Sequence, residues 1–101
     1  MTYKLDFYDQ ALKEWKSLDG SVRQQFKHKL VERLETPHIA SAKLRDSKDR
    51  YKIKLRGIGY SLVYEVNDKI VTVVVVAVGK RDKSEVYEKA AQRLIKDIVK
   101  K

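Results

Sequence analysis

Residues 70–78 constrain the fold of this 101-residue chain more than any other segment. They read Ile-Val-Thr-Val-Val-Val-Val-Ala-Val, and β-branched residues of this kind favour β-strands. The run lacks the polar alternation of a strand with one solvated face, so it predicts a central strand buried on both faces.

The spacing of apolar residues on either side of this run predicts the remaining helices and strands. Alternating apolar residues from Tyr3 to Phe7 predict a half-buried strand, and apolar stripes predict two helices joined at Asp19 and Gly20. The period changes to two at position 50, which predicts strands over residues 50–56 and about 60–66, and a last helix follows position 84. We predict one small α+β domain over residues 1–101, with a mostly antiparallel four-stranded sheet packed by an N-terminal helical hairpin and a C-terminal helix.

The connection into the central strand is predicted to be short. Asn67 and Asp68 suit a tight hairpin turn, although the glycine that usually follows is absent.

The net charge and the amino-acid composition limit the classes of function that the chain can have. Twenty-three Lys and Arg against 14 Asp and Glu give a net charge of +9, which predicts a polyanionic partner, above all nucleic acid. The chain has no cysteine, and His28 and His38 have no ligand-like spacing to a carboxylate, so we expect neither a metal nor a cofactor. No apolar segment is long enough for a signal or a membrane span, so we expect a cytoplasmic protein without membrane contact.

The segment from 43 to 56 carries seven basic residues. Three of them, Lys52, Lys54 and Arg56, are predicted to share one face of a strand. Same-face residues lie about 6.5–7 Å apart along a strand, which is close to the phosphate spacing of a single nucleic-acid strand. The row is therefore either a phosphate site or a solvated strand face that lysines protect from edge pairing.

A second cluster favours the phosphate site. Lys80, Arg81 and Lys83 follow the central strand, at the end of the sheet where a cleft can form. Tyr87 lies one helical turn further on, where its ring either stacks on a base or packs against the sheet. Such a site needs no metal to cleave RNA, because the ribose 2′-hydroxyl is the nucleophile and a cationic cluster stabilises the phosphorane.

Several short motifs, each weak alone, are specific in combination. They are Lys43-Leu44-Arg45, Tyr51-Lys52-Ile53-Lys54-Leu55-Arg56, Gly59-Tyr60, Leu62-Val63-Tyr64, Val78-Gly79-Lys80-Arg81 and Ser84-Glu85-Val86-Tyr87. Together they resemble the RelE toxins of the RelE/ParE superfamily, and the resemblance covers residues 1–95.

The resemblance implies a microbial-ribonuclease-like fold and a toxin of a type II toxin–antitoxin system. Such a toxin enters the ribosomal A site and cuts mRNA there, leaving a 2′,3′-cyclic phosphate and a 5′-hydroxyl. It also implies a RelB-like antitoxin, with which the toxin represses its own operon and through which alone it meets operator DNA. The last helix, with a short apolar stripe and a polar end, is expected to be loosely docked and displaced by an antitoxin helix.

Matching positions carry the family's roles over to this chain. Lys52 and Lys54 would serve as base and phosphate stabilisers, Arg81 as general acid or leaving-group stabiliser, and Tyr87 as the stacking residue. A further set would contact RNA and the ribosome, namely Lys43, Arg45, Arg56 and Lys80.

One position departs from the family pattern. Directly after Gly59-Tyr60 the family commonly has an arginine that binds the scissile phosphate, whereas this chain has Ser61. A hydroxyl does not replace a bidentate guanidinium. The chain therefore uses another cation such as Arg56, or it is an attenuated variant, whether natural or substituted to permit expression.

Two other functions fit the sequence less well. One is a gyrase inhibitor of the ParE type, which has the same fold but does not need the set of Lys52, Lys54, Arg81 and Tyr87. The other is a module that only binds the ribosome or nucleic acid, which predicts salt-sensitive binding without a cut product.

Overall fold

The computed structural model describes residues 2–45, 47, 49–80 and 85–93. Its elements are β1 (Lys4–Phe7), α1 (Asp9–Lys16), α2 (Gly20–Glu35), a single 3-10 turn (Ala40–Ala42), β2 (Arg50–Leu55), β3 (Tyr60–Asn67), β4 (Thr72–Lys80) and α3 (Glu85–Gln92). No helix among these residues is long and apolar enough to cross a membrane.

The four strands form one sheet in the order β1-β4-β3-β2. β1 runs parallel to β4, and the other neighbours are antiparallel, so the sheet is mixed. The α+β prediction is confirmed, and β4 is the buried inner strand that its β-branched run predicted. Ile70 is an exception, because it is 55% exposed and precedes the strand, which begins at Thr72.

Helices cover both faces of the sheet. On one face α1 and α2 bury Trp15, Phe26 and Leu30 against Tyr64 and Val75. The opposite face is covered by α3, where Val86 and Ala90 pack on Val63, Val76 and Ala77. A β-bulge interrupts the pairing of β3 with β4: Val63 pairs with Ala77 and Tyr64 with Val75, so Val76 is an extra residue of β4. The bulge explains why the consecutive residues Val76 and Ala77 both contact this helix.

The β3–β4 turn is longer than predicted. Asn67 still pairs with Thr72, so the connection is residues 68–71 rather than Asn67 and Asp68. The Asn67 side chain accepts a hydrogen bond from the Lys69 amide at 3.1 Å. Val71 takes a positive φ of 51°, and its carbonyl accepts the Lys4 amide of β1 at 2.9 Å.

Arg93 anchors the end of α3 to the rest of the molecule. Its guanidinium donates to both carboxylate oxygens of Glu14 in α1, at 3.0 and 2.9 Å, and to the Val76 carbonyl at 2.8 Å. Arg93 is 9% exposed. The described part of the last helix is thus held by a buried ion pair, which its short apolar stripe did not predict.

Arg50 holds the same helix from the other side. It pairs with Glu65 on the neighbouring strand at 2.6 Å and donates to the carbonyls of Ala90 and Arg93. A cation at the last carbonyls of a helix is favoured, because the helix dipole places partial negative charge there.

The Glu14–Arg93 pair should make stability depend on pH. Burial by itself raises the pKa of Glu14, but hydrogen bonds from Arg93 and the Val78 amide, together with nearby positive charge, outweigh burial and hold the pKa below its ordinary value. A carboxylate with a lowered pKa stabilises the fold above its unfolded pKa, and this contribution is lost as pH falls through the folded pKa.

We expect Glu14→Gln to lower the free energy of unfolding at pH 7 by about 2–3 kcal/mol, somewhat less than a fully buried pair contributes. As pH falls through the lowered pKa of folded Glu14, the variant and the parent chain should converge, since Glu14 becomes protonated in both states of the parent. Urea titrations followed by Trp15 fluorescence measure this, with the exposed Glu32→Gln as control. A pH-independent difference would contradict the assignment.

Candidate nucleic-acid site

Lys52 and Lys54 lie on one face of β2, as the period of two predicted. Both are half-buried, while the alternate residues Tyr51, Ile53 and Leu55 are buried under α2 on the other face. β2 is an edge strand, so the lysines stand at the border of the sheet.

An arginine of α2 fixes the backbone of this edge strand. Arg33 donates to the Lys52 carbonyl at 3.2 Å and to the Tyr64 hydroxyl at 2.8 Å. The Tyr64 hydroxyl in turn donates to the Pro37 carbonyl at 2.8 Å. Sequence reasoning missed Arg33, because nothing in its helix indicates which strand carbonyl it reaches.

The predicted row of three cations is shorter in the structure. β2 ends at Leu55, whose carbonyl accepts the Gly59 amide at 2.9 Å, and Gly59 takes the left-handed φ of 70°. Arg56 therefore lies in the turn and not on the strand face, so its predicted place in the row is wrong. Arg50, at the other end of β2, is committed to its ion pair with Glu65.

Ser61 lies at the centre of the site and is fully buried. It pairs with Lys54 on β2 and with Gly79 on β4, and directly opposed residues of antiparallel strands share a face. Its hydroxyl shares a hydrogen bond with the Tyr87 hydroxyl, with Oγ and Oη 3.1 Å apart. Tyr87 packs on the core under α3 and remains half-buried, so packing and ligand contact are both open to its ring.

The other predicted cations fall into three groups. Lys80 is exposed at the end of β4, next to the pair of Ser61 and Gly79. Lys43 and Arg45 are exposed at the opposite end of β2, where Lys43 forms a bridge with Tyr51. Arg81 lies outside the described residues, as does Lys83.

Neither histidine joins the lysine row. His38 lies at the far end of the sheet, where Nδ1 is 2.8 Å from the Tyr51 hydroxyl and Nε2 is 3.1 Å from Asp68. Hydrogen bonds from Tyr3 and His38 lower the pKa of Asp68. His28 lies on the exposed face of α2.

The described residues place Lys54 opposite the buried Ser61, whose hydroxyl bonds to Tyr87, and Lys52 further along the same face of β2. Ammonium groups bind phosphate, and an aromatic ring stacks on a base. Among the same residues, no group of three His, Cys, Asp or Glu side chains is placed to hold a metal ion.

Comparisons with known proteins identify the family of the chain. The family model for "ParE toxin of type II toxin-antitoxin system, parDE" matches residues 5–85. The "mRNA interferase toxin RelE" of Escherichia coli K12 is 56% identical over 95 residues, which cover 94% of this chain and all of that protein.

Solved structures extend the likeness to the backbone. A free Escherichia coli RelE with two arginines replaced by alanine superimposes with a TM-score of 0.86 at 55% identity, covering 93% of this chain and 99% of that one. The toxin of the intact Escherichia coli RelBE complex gives a TM-score of 0.77 at 56% identity, with 80% and 99% covered.

Proposed function

Because this chain belongs to the RelE/ParE family of type II toxins, we propose that it is an mRNA interferase of the RelE type. In this proposal it is a ribosome-dependent endoribonuclease that cuts mRNA in the A site and thereby stops translation. The observation that carries the proposal is the pair Lys52 and Lys54 on one half-buried strand face, where Lys54 lies opposite Ser61, the hydrogen-bond partner of Tyr87, in a chain 56% identical to an mRNA interferase.

The proposed reaction uses the substrate's own nucleophile. One of the two lysines takes the proton of the ribose 2′-hydroxyl, and the oxygen attacks the adjacent phosphorus. The 2′-O–P bond forms while the bond to the 5′-oxygen breaks, which gives a 2′,3′-cyclic phosphate and a 5′-hydroxyl. The second lysine stabilises the phosphorane charge, and Arg81 stabilises or protonates the leaving oxygen.

The ribosome supplies what the free site lacks. Lysine and arginine are weak proton-transfer groups at neutral pH, so the rate depends on holding the RNA in a reactive conformation. We propose that Tyr87 stacks on a base of the codon, and that Lys43, Arg45, Arg56 and Lys80 contact RNA of the ribosome or the message.

The proposed partner that silences the toxin is a RelB-like antitoxin. The Escherichia coli relative has been solved in complex with its own antitoxin RelB. We expect the joint complex to bind operator DNA and repress the operon, and we place the toxin in the cytoplasm, where ribosomes are.

A gyrase inhibitor is the second candidate, since the matching family model is described as a ParE toxin. Pulse labelling after induction separates the two functions. An mRNA interferase stops methionine incorporation within minutes while plasmid supercoiling persists, and co-expressed antitoxin reverses the arrest. Loss of supercoiling before any effect on protein synthesis would favour the gyrase inhibitor.

A further inference from the structure

A groove runs between α2 and the end of β2, beside Lys54. It consists of two adjoining depressions of about 360 and 370 Å³, within the range of sites that hold small ligands. They share three lining residues, Gln25, Lys29 and Leu55. Because they share this lining, the two depressions form one continuous groove.

The two halves of the groove differ in chemistry. The half at the β2–β3 turn is cationic, since Lys54 and Arg56 join Lys29 there, and none of the described residues that line it is acidic. The half toward α2 is lined by Leu55, the imidazole of His28 and two glutamine amides. The first suits a phosphate, and the second offers an apolar surface and hydrogen-bonding amides to a base.

The residues of α2 face the groove by helical geometry. Gln25, His28 and Lys29 stand at positions i, i+3 and i+4, which share one helix face, and all three are exposed. Phe26 and Leu30, which directly follow Gln25 and Lys29 in the sequence, are buried in the core and fix the rotation of the helix. The groove face is therefore set by the packing of the helix.

We propose that this groove binds one nucleotide of single-stranded RNA, adjacent to the nucleotide held at Lys54. The phosphate lies among Lys29, Lys54 and Arg56, and the base lies between His28 and Leu55. This inference rests on the proposed function, because it extends the path of the RNA from the cleavage site onto α2. Lys54 lines the groove and also belongs to the proposed cleavage site, so it makes the path of the RNA continuous.

The test measures binding of a fluorescein-labelled six-nucleotide single-stranded RNA by anisotropy at several salt concentrations. Lys29→Gln should weaken binding about five- to tenfold and reduce the slope of log affinity against log salt by about 0.7, the value for one lost phosphate contact. Lys27→Gln is the matched control, since it removes the same charge from the same helix about 200° around its axis. It should leave the slope unchanged.

A second variant and a second probe make the test specific. Gln25→Glu places a negative charge in the groove without removing a cation, and it should weaken RNA binding more than Lys29→Gln does. Labelled decaglutamate tests whether any polyanion suffices, and Lys29→Gln should weaken its binding less than that of RNA. Circular dichroism should show that both variants keep the native helix content.

Two results would contradict the proposal that the groove binds a nucleotide. One is an equal effect of Lys29→Gln and Lys27→Gln on RNA binding. The other is an equal effect of Lys29→Gln on RNA and on decaglutamate, which would assign the groove to an acidic partner. Ribosome assays of the parent chain distinguish failure of the groove proposal from failure of the proposed function. If the parent chain cuts mRNA while Lys29→Gln and Lys27→Gln weaken RNA binding equally, only the groove proposal fails. If the parent chain does not cut mRNA on ribosomes, the proposed function fails.

Discussion

Replacing Lys52 and Lys54 together by alanine is expected to abolish mRNA cleavage on ribosomes, with a loss of at least about a thousandfold. A positioned general base contributes about 10²–10⁴ and a charge on the phosphorane about 10²–10³, and the two effects need not add. The fold should survive, because both side chains lie on the face away from the main core and the Arg33 bond uses the Lys52 backbone.

The matched control for this variant removes two charges elsewhere. Lys13 and Lys16 are exposed in the last turn of α1, so their double alanine variant tests whether net charge alone lowers the rate. Cleavage rates come from primer extension, and circular dichroism checks the fold. Cleavage retained by the Lys52→Ala/Lys54→Ala variant, with a native spectrum, would remove both residues from the catalytic role.

Changing Ser61→Arg is expected to raise the cleavage rate about a hundred- to a thousandfold, which is the contribution of one preorganised phosphate contact. The position allows this because its neighbour on β4 is Gly79, where even a Cβ would meet no atom within 4 Å. A long side chain can therefore pass over Gly79 toward the surface, next to Lys54. It gives up the bond to the Tyr87 hydroxyl, which frees that ring to move toward the RNA.

Ser61→Gln is the control that separates charge from length. It has a long polar side chain but no charge, so it should leave the rate within a few-fold of the parent. Single-turnover cleavage on programmed ribosomes measures all three proteins. Equal rates for Ser61→Arg and Ser61→Gln would show that the scissile phosphate does not lie beside position 61.

Local patterns predicted the parts of the site that depend on one strand alone. The β-branched run placed β4 inside the sheet, and the period of two placed Lys52 and Lys54 on a common face. In both cases the pattern of burial along a few residues determines the answer. The turn between β2 and β3 also depends on local sequence, since glycine tolerates the positive φ that Gly59 adopts.

One feature of the site, the place of Arg56, was predicted wrongly, and two others, the ion pair of Arg50 and the groove, were missed. Arg50 is a basic residue in the same alternating pattern as Lys52, yet its charge is neutralised by Glu65. The register of β2 and β3 places Arg50 directly opposite Glu65, which no local pattern predicts. Arg56 continues the alternation, but the strand ends before it. The groove requires α2 to lie beside the end of β2, and no periodicity within either element predicts which residues meet there.

The central claim, cleavage in the A site, is tested most directly by primer extension on mRNA from translating ribosomes incubated with the purified chain. The same mRNA without ribosomes serves as the control. The account predicts cuts within A-site codons that appear only with ribosomes and leave a 5′-hydroxyl. An intact message on ribosomes, at a toxin concentration that arrests growth in the cell, would contradict it.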